Sequence, residues 1–347
     1  AFGAETIEAA VDVALQEVED RLAHRERYVT HGDSLREGAW KAKDAAAPEP
    51  RPHPGAGWTP PAEFSAPAME PAEPEIRYEM LRPAQIVARR KERPVAYLPL
   101  GTLEWHGPHL PAGADGLQVE AVAQACAREI GGTVFPTVWY GESRLESLMD
   151  SNPKYGPEIA EGWKIPYELF TAAHFPHGKR RQVENYTRLL IHVLSEIETL
   201  GFRLAVVLAG HFPLIDWAHA ASLMFVQRSR RRGEGLLPWA VMHYNLVRDE
   251  IGDNDEHAGG FETSSILADF PDLADMDALP PTGVMIPGVI QGRHPPQEAT
   301  AGFGRHIREA AVRAIGRGVA LRIEQPGLFH GHGNSQGPLR VETPPTP

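Results

Sequence analysis

The sequence has a single cysteine, Cys126, and lacks the marks of secreted or membrane-spanning proteins. One cysteine excludes an internal disulfide framework, and its place in an apolar helical pattern suits a buried core residue in a reducing compartment. No run of residues approaches the roughly 20 apolar positions that a membrane-spanning helix needs, and the first residues show no signal-peptide pattern. We therefore expect a cytoplasmic protein without a membrane partner.

Positive charge is also in short supply. The 34 lysines and arginines are outnumbered by 46 aspartates and glutamates, which gives a formal net charge of −12. Nucleic-acid binding depends on clustered basic side chains that release counterions from phosphates. The one basic cluster, residues 228–232, is typical of a solvated helix end that complements the helix dipole. We expect no nucleic-acid partner.

Three regions can be distinguished along the 347 residues. Residues 1–76 form an extension, in which apolar spacing predicts one amphipathic helix over about 4–27 and a proline-rich stretch follows. Residues 77–325 alternate strand-like and helix-like patterns, which is typical of an α/β domain with a mainly parallel sheet. Residues 326–347 form a glycine-containing tail. We predict a three-layer α/β/α catalytic domain behind the N-terminal helical and proline-rich extension.

Within the catalytic domain, apolar runs and periodicities predict individual elements. The predicted strands cover residues 95–100, 133–139, 204–209 and 239–244. The predicted helices cover residues 117–130, 182–200, 213–227, 261–267 and 300–315. Ligands of parallel α/β sheets collect at the carboxyl ends of the strands, so the polar residues that follow each strand are the candidates for a site.

The loop after the first strand carries the densest group of reactive side chains. Glu104 and His106 lie two residues apart, so an extended segment places both side chains on one side. Mixed carboxylate and imidazole ligands suit Zn, Mn or Fe(II), and a shared carboxylate such as Asp115 would bring two ions to about 3.5–4 Å. Asp115 alone is equally well explained as a helix cap, but the whole group predicts a two-metal site.

Two further clusters follow later strands. A lone histidine at a strand end, such as His211, is more often a structural residue than a ligand. His211 is a candidate because it follows a second apolar strand and so lies at the sheet edge predicted for the first cluster. A third loop carries Glu256, His257 and Glu262 before a helix whose free amides favour a polar or anionic ligand group. Taken alone, this loop is typical of a charged surface segment in which Glu262 complements the helix dipole.

The three clusters, in this order, resemble the creatininase family of metal-dependent hydrolases. Residues 104–115 are close to the signature Glu-x-His-Gly-Pro-His-Leu-Pro with a later Asp, and residues 257–264 are close to the second signature, His-Ala-Gly followed by Glu-Thr-Ser. The resemblance covers about residues 77–321. One departure stands out: family members usually place a Glu two residues after the His211 position, or a Gly-Gly-Asn run, whereas this chain has Pro213.

The resemblance implies a role for each residue of the site. The implied ligands of two divalent ions (Zn, Mn or Fe) are Glu104, His106, Asp115, His211 and, in place of the ligand missing at Pro213, Glu262. Proton transfer to the leaving group falls to His257, tuned by Glu256. Candidates for binding the substrate, which combine aromatic faces with polar donors, are Trp105, His109, Trp139, Tyr140, Arg144, Trp163 and His174.

The expected reaction is hydrolytic ring opening of a small cyclic substrate, in which hydroxide formed at the ions attacks a carbonyl carbon. The family usually cleaves a cyclic amide C–N bond, which is our first expectation. One alternative is C–C bond hydrolysis of a cyclic diketone derived from inositol, in carbohydrate metabolism. Another is a non-catalytic, metal-stabilised oligomeric protein. Since family members form hexamers, we also expect a homo-oligomer of six subunits or fewer.

Overall fold

The computed structural model describes residues 74–141, 155–170, 179–228, 235–252, 257–289 and 292–329. The predicted N-terminal helix and proline-rich stretch lie outside these residues, and so does most of the predicted tail. None of the helices in the described ranges combines the length and hydropathy that crossing a membrane requires. The division of the chain at residues 76 and 325 stays a prediction.

A parallel sheet of four strands forms the centre of the fold. The strands are β1 (Val95–Leu100), β2 (Thr133–Val134), β3 (Leu204–Ala209) and β4 (Leu237–Met242), in the spatial order β2-β1-β3-β4. Every residue of these strands is buried, which explains why their sequences are continuously apolar rather than alternating. The predicted α/β class with a mainly parallel sheet is confirmed.

Helices connect and cover the strands. In the described residues they are α1 (Pro83–Glu92), α2 (Ala114–Glu129), α3 (Gly156–Gly162), α4 (Lys179–Thr199), α5 (Phe212–Arg228), α6 (His243–Ile251), α7 (Gly260–Asp269) and α8 (Ala301–Glu324). The apolar stripe predicted for α4 is its core face, since Leu190, Leu194 and Ile197 are buried. The longest helix among the described residues, α8, is capped by Thr300, whose hydroxyl accepts a hydrogen bond from the amide of Phe303.

Close packing of α8 fixes the position of α7. A Cβ atom at Gly304 would lie 1.9 Å from the carbonyl oxygen of Ser264, so only glycine lets the two helix backbones approach this closely. The Ser264 hydroxyl in turn accepts a hydrogen bond from the amide of Thr300. These contacts tie the first turn of α7 to the body of the domain.

Two predicted strands differ from the observed ones. The strand predicted at 133–139 is a ladder of only two residues, followed by an isolated bridge between Val138 and Leu100, because Pro136 has no amide to donate to a ladder. The strand predicted at 239–244 begins and ends two residues earlier. Pro238 does not end it because β4 lies at the edge of the sheet, where one side of the strand needs no partner.

Four of the five predicted helices start earlier than predicted, and one of these shifts concerns the site. We expected the first main helix to begin near Leu117, but α2 begins at Ala114, so Asp115 lies in its first turn rather than in the preceding loop. Acidic residues are favoured in a first turn because they complement the helix dipole. Asp115 therefore occupies a rigid position at the end of a helix.

Candidate metal centre

The site lies where three strands end side by side. Leu100 pairs with Ala209, and Ala209 pairs with Met242, so the residues that follow β1, β3 and β4 leave the sheet at the same edge. This is the edge at which parallel α/β sheets hold their ligands. The structure therefore brings the three clusters together, although residues 104 and 262 are more than 150 positions apart in sequence.

Glycines allow the start of α2 to enter this edge. A Cβ atom at Gly210 would lie 2.1 Å from the carbonyl oxygen of Asp115, and one at Gly101 would lie 2.5 Å from the Cα atom of Gly116. Neither distance is compatible with a side chain. The first turn of α2 is therefore wedged between the ends of β1 and β3, and Asp115 points into the space between the clusters.

The five predicted ligands form two overlapping groups of three. Glu104, Asp115 and His211 form one group, and His106, Asp115 and Glu262 form the other. A third group joins Glu104 and His106 to His257, the predicted proton donor. Within each group the ligand atoms all lie within 4.8 Å of one another. Asp115 belongs to both groups, which is the arrangement of a carboxylate that bridges two ions.

Each oxygen of Asp115 faces a different group. Oδ1 lies 3.2 Å from Nε2 of His106, and Oδ2 lies 3.4 Å from Nδ1 of His211. The same Nδ1 atom is 2.9 Å from Oε2 of Glu104, while Nε2 of His106 is 3.6 Å from Oε2 of Glu262. Four of the five residues are at most 4% exposed, and 10% of the His211 side chain is exposed.

The residues present fit a pair of divalent ions. Among the described residues, Oε2 of Glu104 and Oδ2 of Asp115 are buried without a hydrogen-bond partner, although an imidazole nitrogen lies close to both. Buried carboxylate oxygens without such a partner are costly unless a cation compensates them. Three carboxylates with two imidazoles form a ligand set suited to Zn, Mn or Fe(II).

The pKa values of the clustered side chains show that the buried carboxylates favour positive charge beside them. Burial alone would lower the pKa of both histidines, but the neighbouring carboxylates raise that of His106 to about 10 and that of His211 to about 9. Burial would likewise raise the pKa values of Asp115 and Glu104, yet the facing imidazoles lower both. In the cluster without ions, the protonated imidazoles supply the positive charge, and bound divalent ions would supply it instead.

Glu262 comes from the first turn of α7 and is held by three donors. Its Oε2 accepts a hydrogen bond from the amide of Ala258 at 2.7 Å, and its Oε1 accepts from the Tyr244 hydroxyl at 3.1 Å and from Nε2 of Gln118 at 3.3 Å. Tyr244 and Gln118 were not among the residues predicted for the site. Tyr244 lies two residues after β4 and Gln118 three residues after Asp115 on α2, which places both near the right sheet edge but does not indicate a contact with Glu262.

His257, the predicted proton donor, lies beside the cluster. Its ring is 4.5 Å from that of His106, centroid to centroid, and its Nε2 atom lies 2.7 Å from the carbonyl oxygen of Trp105. Because a carbonyl oxygen can only accept, this contact assigns the proton to Nε2 and leaves Nδ1 for proton exchange. Its predicted partner Glu256 lies outside the described residues.

Three of the predicted substrate-binding residues, Trp105, Trp163 and Trp139, have packed indole rings. Trp105 packs against Trp163 with ring centroids 5.9 Å apart, and its Nε1 donates to the carbonyl oxygen of Pro287. Trp139 lies over the first turn of α2, where a Cβ atom at Gly116 would be 2.2 Å from its ring. These contacts make the indole rings fixed surfaces.

The remaining candidates differ in their surroundings. Tyr140 is 78% exposed, whereas His109 is buried and its Nε2 lies 3.0 Å from the Thr263 hydroxyl. Burial and the nearby His106 lower the pKa of His109 to about 4, so its ring is neutral. His109 is thus enclosed beside Thr263, and its part in substrate binding stays a prediction. Arg144 and His174 lie outside the described residues.

Comparison with known proteins gives consistent matches. The family model of creatininase, described as creatinine amidohydrolase, matches residues 79–317. A creatinine amidohydrolase of Pseudomonas putida is 27% identical over 197 residues, which cover 53% of this chain and 68% of that protein. A 3-dehydro-scyllo-inosose hydrolase of Thermotoga maritima is 23% identical over 213 residues, and the match spans 57% of each chain.

Solved structures agree with the sequence matches. A mutant creatininase shares 25% sequence identity with this chain and superimposes on it with a TM-score of 0.55. The superposition covers 73% of this chain and 99% of the solved one. The similarity therefore extends over the whole fold of that protein, and the N-terminal extension predicted here lies beyond the family match at residues 79–317.

Proposed function

Because this chain belongs to the creatininase family of metal-dependent hydrolases, we propose that it opens a small cyclic substrate at a carbonyl group with the help of two divalent ions. The observation that carries the proposal is the sharing of Asp115 between two buried groups of ligand atoms. A structural metal site is typically closed by four protein ligands, whereas each group here offers three. Each position would therefore keep room for substrate or water.

The residues divide the work in the proposed mechanism. Bound ions would polarise the substrate carbonyl and lower the pKa of water towards neutrality, which is the chemistry that two-metal sites supply. Asp115 would hold both positions at a fixed separation. His257 would move the proton to the leaving atom through Nδ1, since the Trp105 carbonyl holds its Nε2 in the protonated form. The packed rings of Trp105 and Trp163 would present a flat face to a ring substrate.

A cyclic amide is the substrate class that we favour. The support is the higher identity and the larger share of the relative that is matched for the creatinine amidohydrolase than for the inosose hydrolase. The second candidate is C–C bond hydrolysis of a cyclic diketone, which the match to the 3-dehydro-scyllo-inosose hydrolase supports. In both reactions the attacked atom is a ring carbonyl carbon, so the same residues serve either.

Metal content measured together with activity tests the proposal. We expect elemental analysis to find two ions per chain, and we expect chelation to abolish hydrolysis and Zn, Mn or Fe(II) to restore it. The substrate panel is creatinine, related lactams and 3-dehydro-scyllo-inosose. Restored activity on the inosose alone would replace the amide proposal by the second candidate. Fully loaded protein that hydrolyses no ring substrate would contradict both.

Single substitutions test the assignment of the ligands. Asp115→Ala should remove both ions and His211→Ala should remove one, because Asp115 belongs to both groups and His211 to one. His219→Ala is the matched control, since this histidine lies on α5, the helix that follows His211, and bonds the Ala240 carbonyl. Equal metal loss in the Asp115 and His211 variants would contradict the shared role of Asp115.

The predicted homo-oligomer and cytoplasmic location stay predictions.

A further inference from the structure

Glu262 occupies an unusual place for a ligand in this chain, because it substitutes for a side chain that the loop after β3 does not provide. Two residues after His211 the chain has Pro213, which offers no ligand atom. Glu262 reaches the cluster from α7 instead, and its Oε2 atom lies 3.6 Å from Nε2 of His106. Because Glu262 lies on a different element from the other ligands, separate contacts must orient its carboxylate.

The orientation comes from the elements that carry the other ligands. Gln118 lies on α2 three residues after Asp115, and its Nε2 donates to Oε1 of Glu262 at 3.3 Å. Tyr244 lies in the first turn of α6, directly after β4, and its hydroxyl donates to the same Oε1 atom at 3.1 Å. Both donors are thus fixed to the sheet edge at which the cluster lies.

The consequence concerns how Glu262 can bind an ion. A carboxylate can bind with one oxygen or with both. Oε1 accepts two hydrogen bonds, one for each of its lone pairs, whereas Oε2 accepts one, from the amide of Ala258, and keeps a lone pair on the oxygen that lies near His106. Binding through Oε2 alone would leave a coordination position open at an ion held by His106, and an open position is what distinguishes catalytic from structural sites.

We propose that Tyr244 and Gln118 are positioning residues that hold Glu262 as a one-oxygen ligand of the ion shared by His106 and Asp115. The inference rests on the proposed two-ion function and adds to it two residues outside the family signatures. Outer hydrogen-bond partners of metal ligands commonly contribute about 10- to 100-fold to metal affinity. The effect should fall on one of the two ions, because both donors bond to Glu262, which belongs to the group of His106 and Asp115.

Mn²⁺ titration of the full-length apoprotein tests the proposal, with the EPR signal of the free ion reporting how much remains unbound. For Tyr244→Phe and Gln118→Met we expect one of the two binding events to weaken by about 10- to 100-fold, while the other changes by less than about threefold. The double variant should approach Glu262→Gln, which removes the anionic ligand itself. A role in folding alone would not separate the two binding events in this way.

Matched controls remove hydrogen bonds of the same two residue types elsewhere in the fold. Tyr97→Phe removes a buried hydroxyl that bonds the Gly131 carbonyl, and Gln124→Met removes an amide on α2 that bonds Glu120. Both controls should bind two Mn²⁺ ions as the wild type does.

The outcomes separate this inference from the proposed function. Wild-type protein that binds two ions, together with Tyr244 and Gln118 variants that bind both unchanged or lose both equally, would overturn the positioning role and leave the two-ion function standing. Wild-type protein that binds one ion, or a Glu262→Gln variant that still binds two, would overturn the positioning role and the proposed ligand set together.

Discussion

The protonation of His106 and His211 is tied to the carboxylates that face them. Their pKa values, about 10 and about 9, lie above the ordinary value of 6.5, so both rings are protonated near neutral pH. A raised pKa stabilises the folded state fully below the ordinary value, and this contribution is lost as pH rises through about 9 and then about 10. The ion-free protein should therefore lose stability in the alkaline range.

Metal binding should displace these protons. A divalent ion binds the neutral imidazole, so filling both positions near pH 7.5 should release about two protons per chain. Calorimetric titration in buffers with different ionisation enthalpies measures the number directly. The affinity for ions should rise with pH as the two rings lose their protons. His211→Ala should release about one proton fewer, and the same release from this variant and the wild type would show that His211 is neutral before the ion binds.

At the level of elements, the site depends on how closely α2 approaches the ends of β1 and β3. Gly210→Ala would place a methyl group 2.1 Å from the Asp115 carbonyl oxygen, so the first turn of α2 must move. We expect a loss of about 1–3 kcal/mol in the free energy of unfolding. Metal affinity should fall as well, because Asp115 moves with that turn. Denaturant unfolding and metal titration measure the two effects.

A glycine in ordinary surroundings provides the control for that substitution. A Cβ atom at Gly316, inside α8, would lie 3.5 Å from its nearest neighbour in Ile130, which is a normal contact. Gly316→Ala should raise the free energy of unfolding by about 0.5–1 kcal/mol, because alanine favours a helix. Metal affinity should stay unchanged. If Gly210→Ala leaves the metal affinity unchanged, the close approach of α2 to the ends of β1 and β3 is not what positions Asp115.

How much of this could be predicted from the sequence also differs from element to element. The buried strands β1 and β3 were predicted with correct ends, because short apolar runs bounded by glycine are distinctive. The edge strand β4 was displaced because proline is tolerated at a sheet edge, and edge position is a property of the whole sheet. The five ligands were expected from the signatures, and the structure brings them together.

Other parts of the site could not have been predicted from sequence patterns. Tyr244 and Gln118 have no characteristic spacing relative to Glu262, since they come from helices that only the tertiary fold brings together. The burial of His109 could not be predicted either, since its ring contacts Thr263, which lies 154 positions away. Contacts between distant segments decide such roles, and local periodicity carries no information about them.

Across the whole molecule, the ligands connect segments that are distant in sequence. Glu104 and His106 follow β1, Asp115 opens α2, His211 follows β3 and Glu262 belongs to α7. An unfolded chain would not hold five ligands in place, so the ions bind the folded state and their binding energy adds to its stability.

The size of this coupling can be calculated. At free ion concentrations about 1,000 times the dissociation constant, each occupied position should add about 4 kcal/mol to the free energy of unfolding. Denaturant unfolding with and without the ion measures the gain, and two positions should give about twice the gain of one. His211→Ala, which keeps the group of His106, Asp115 and Glu262, should keep about half of it. A wild-type gain no larger than that of His211→Ala would mean that a single ion holds the fold, and that the two overlapping groups do not act as two sites.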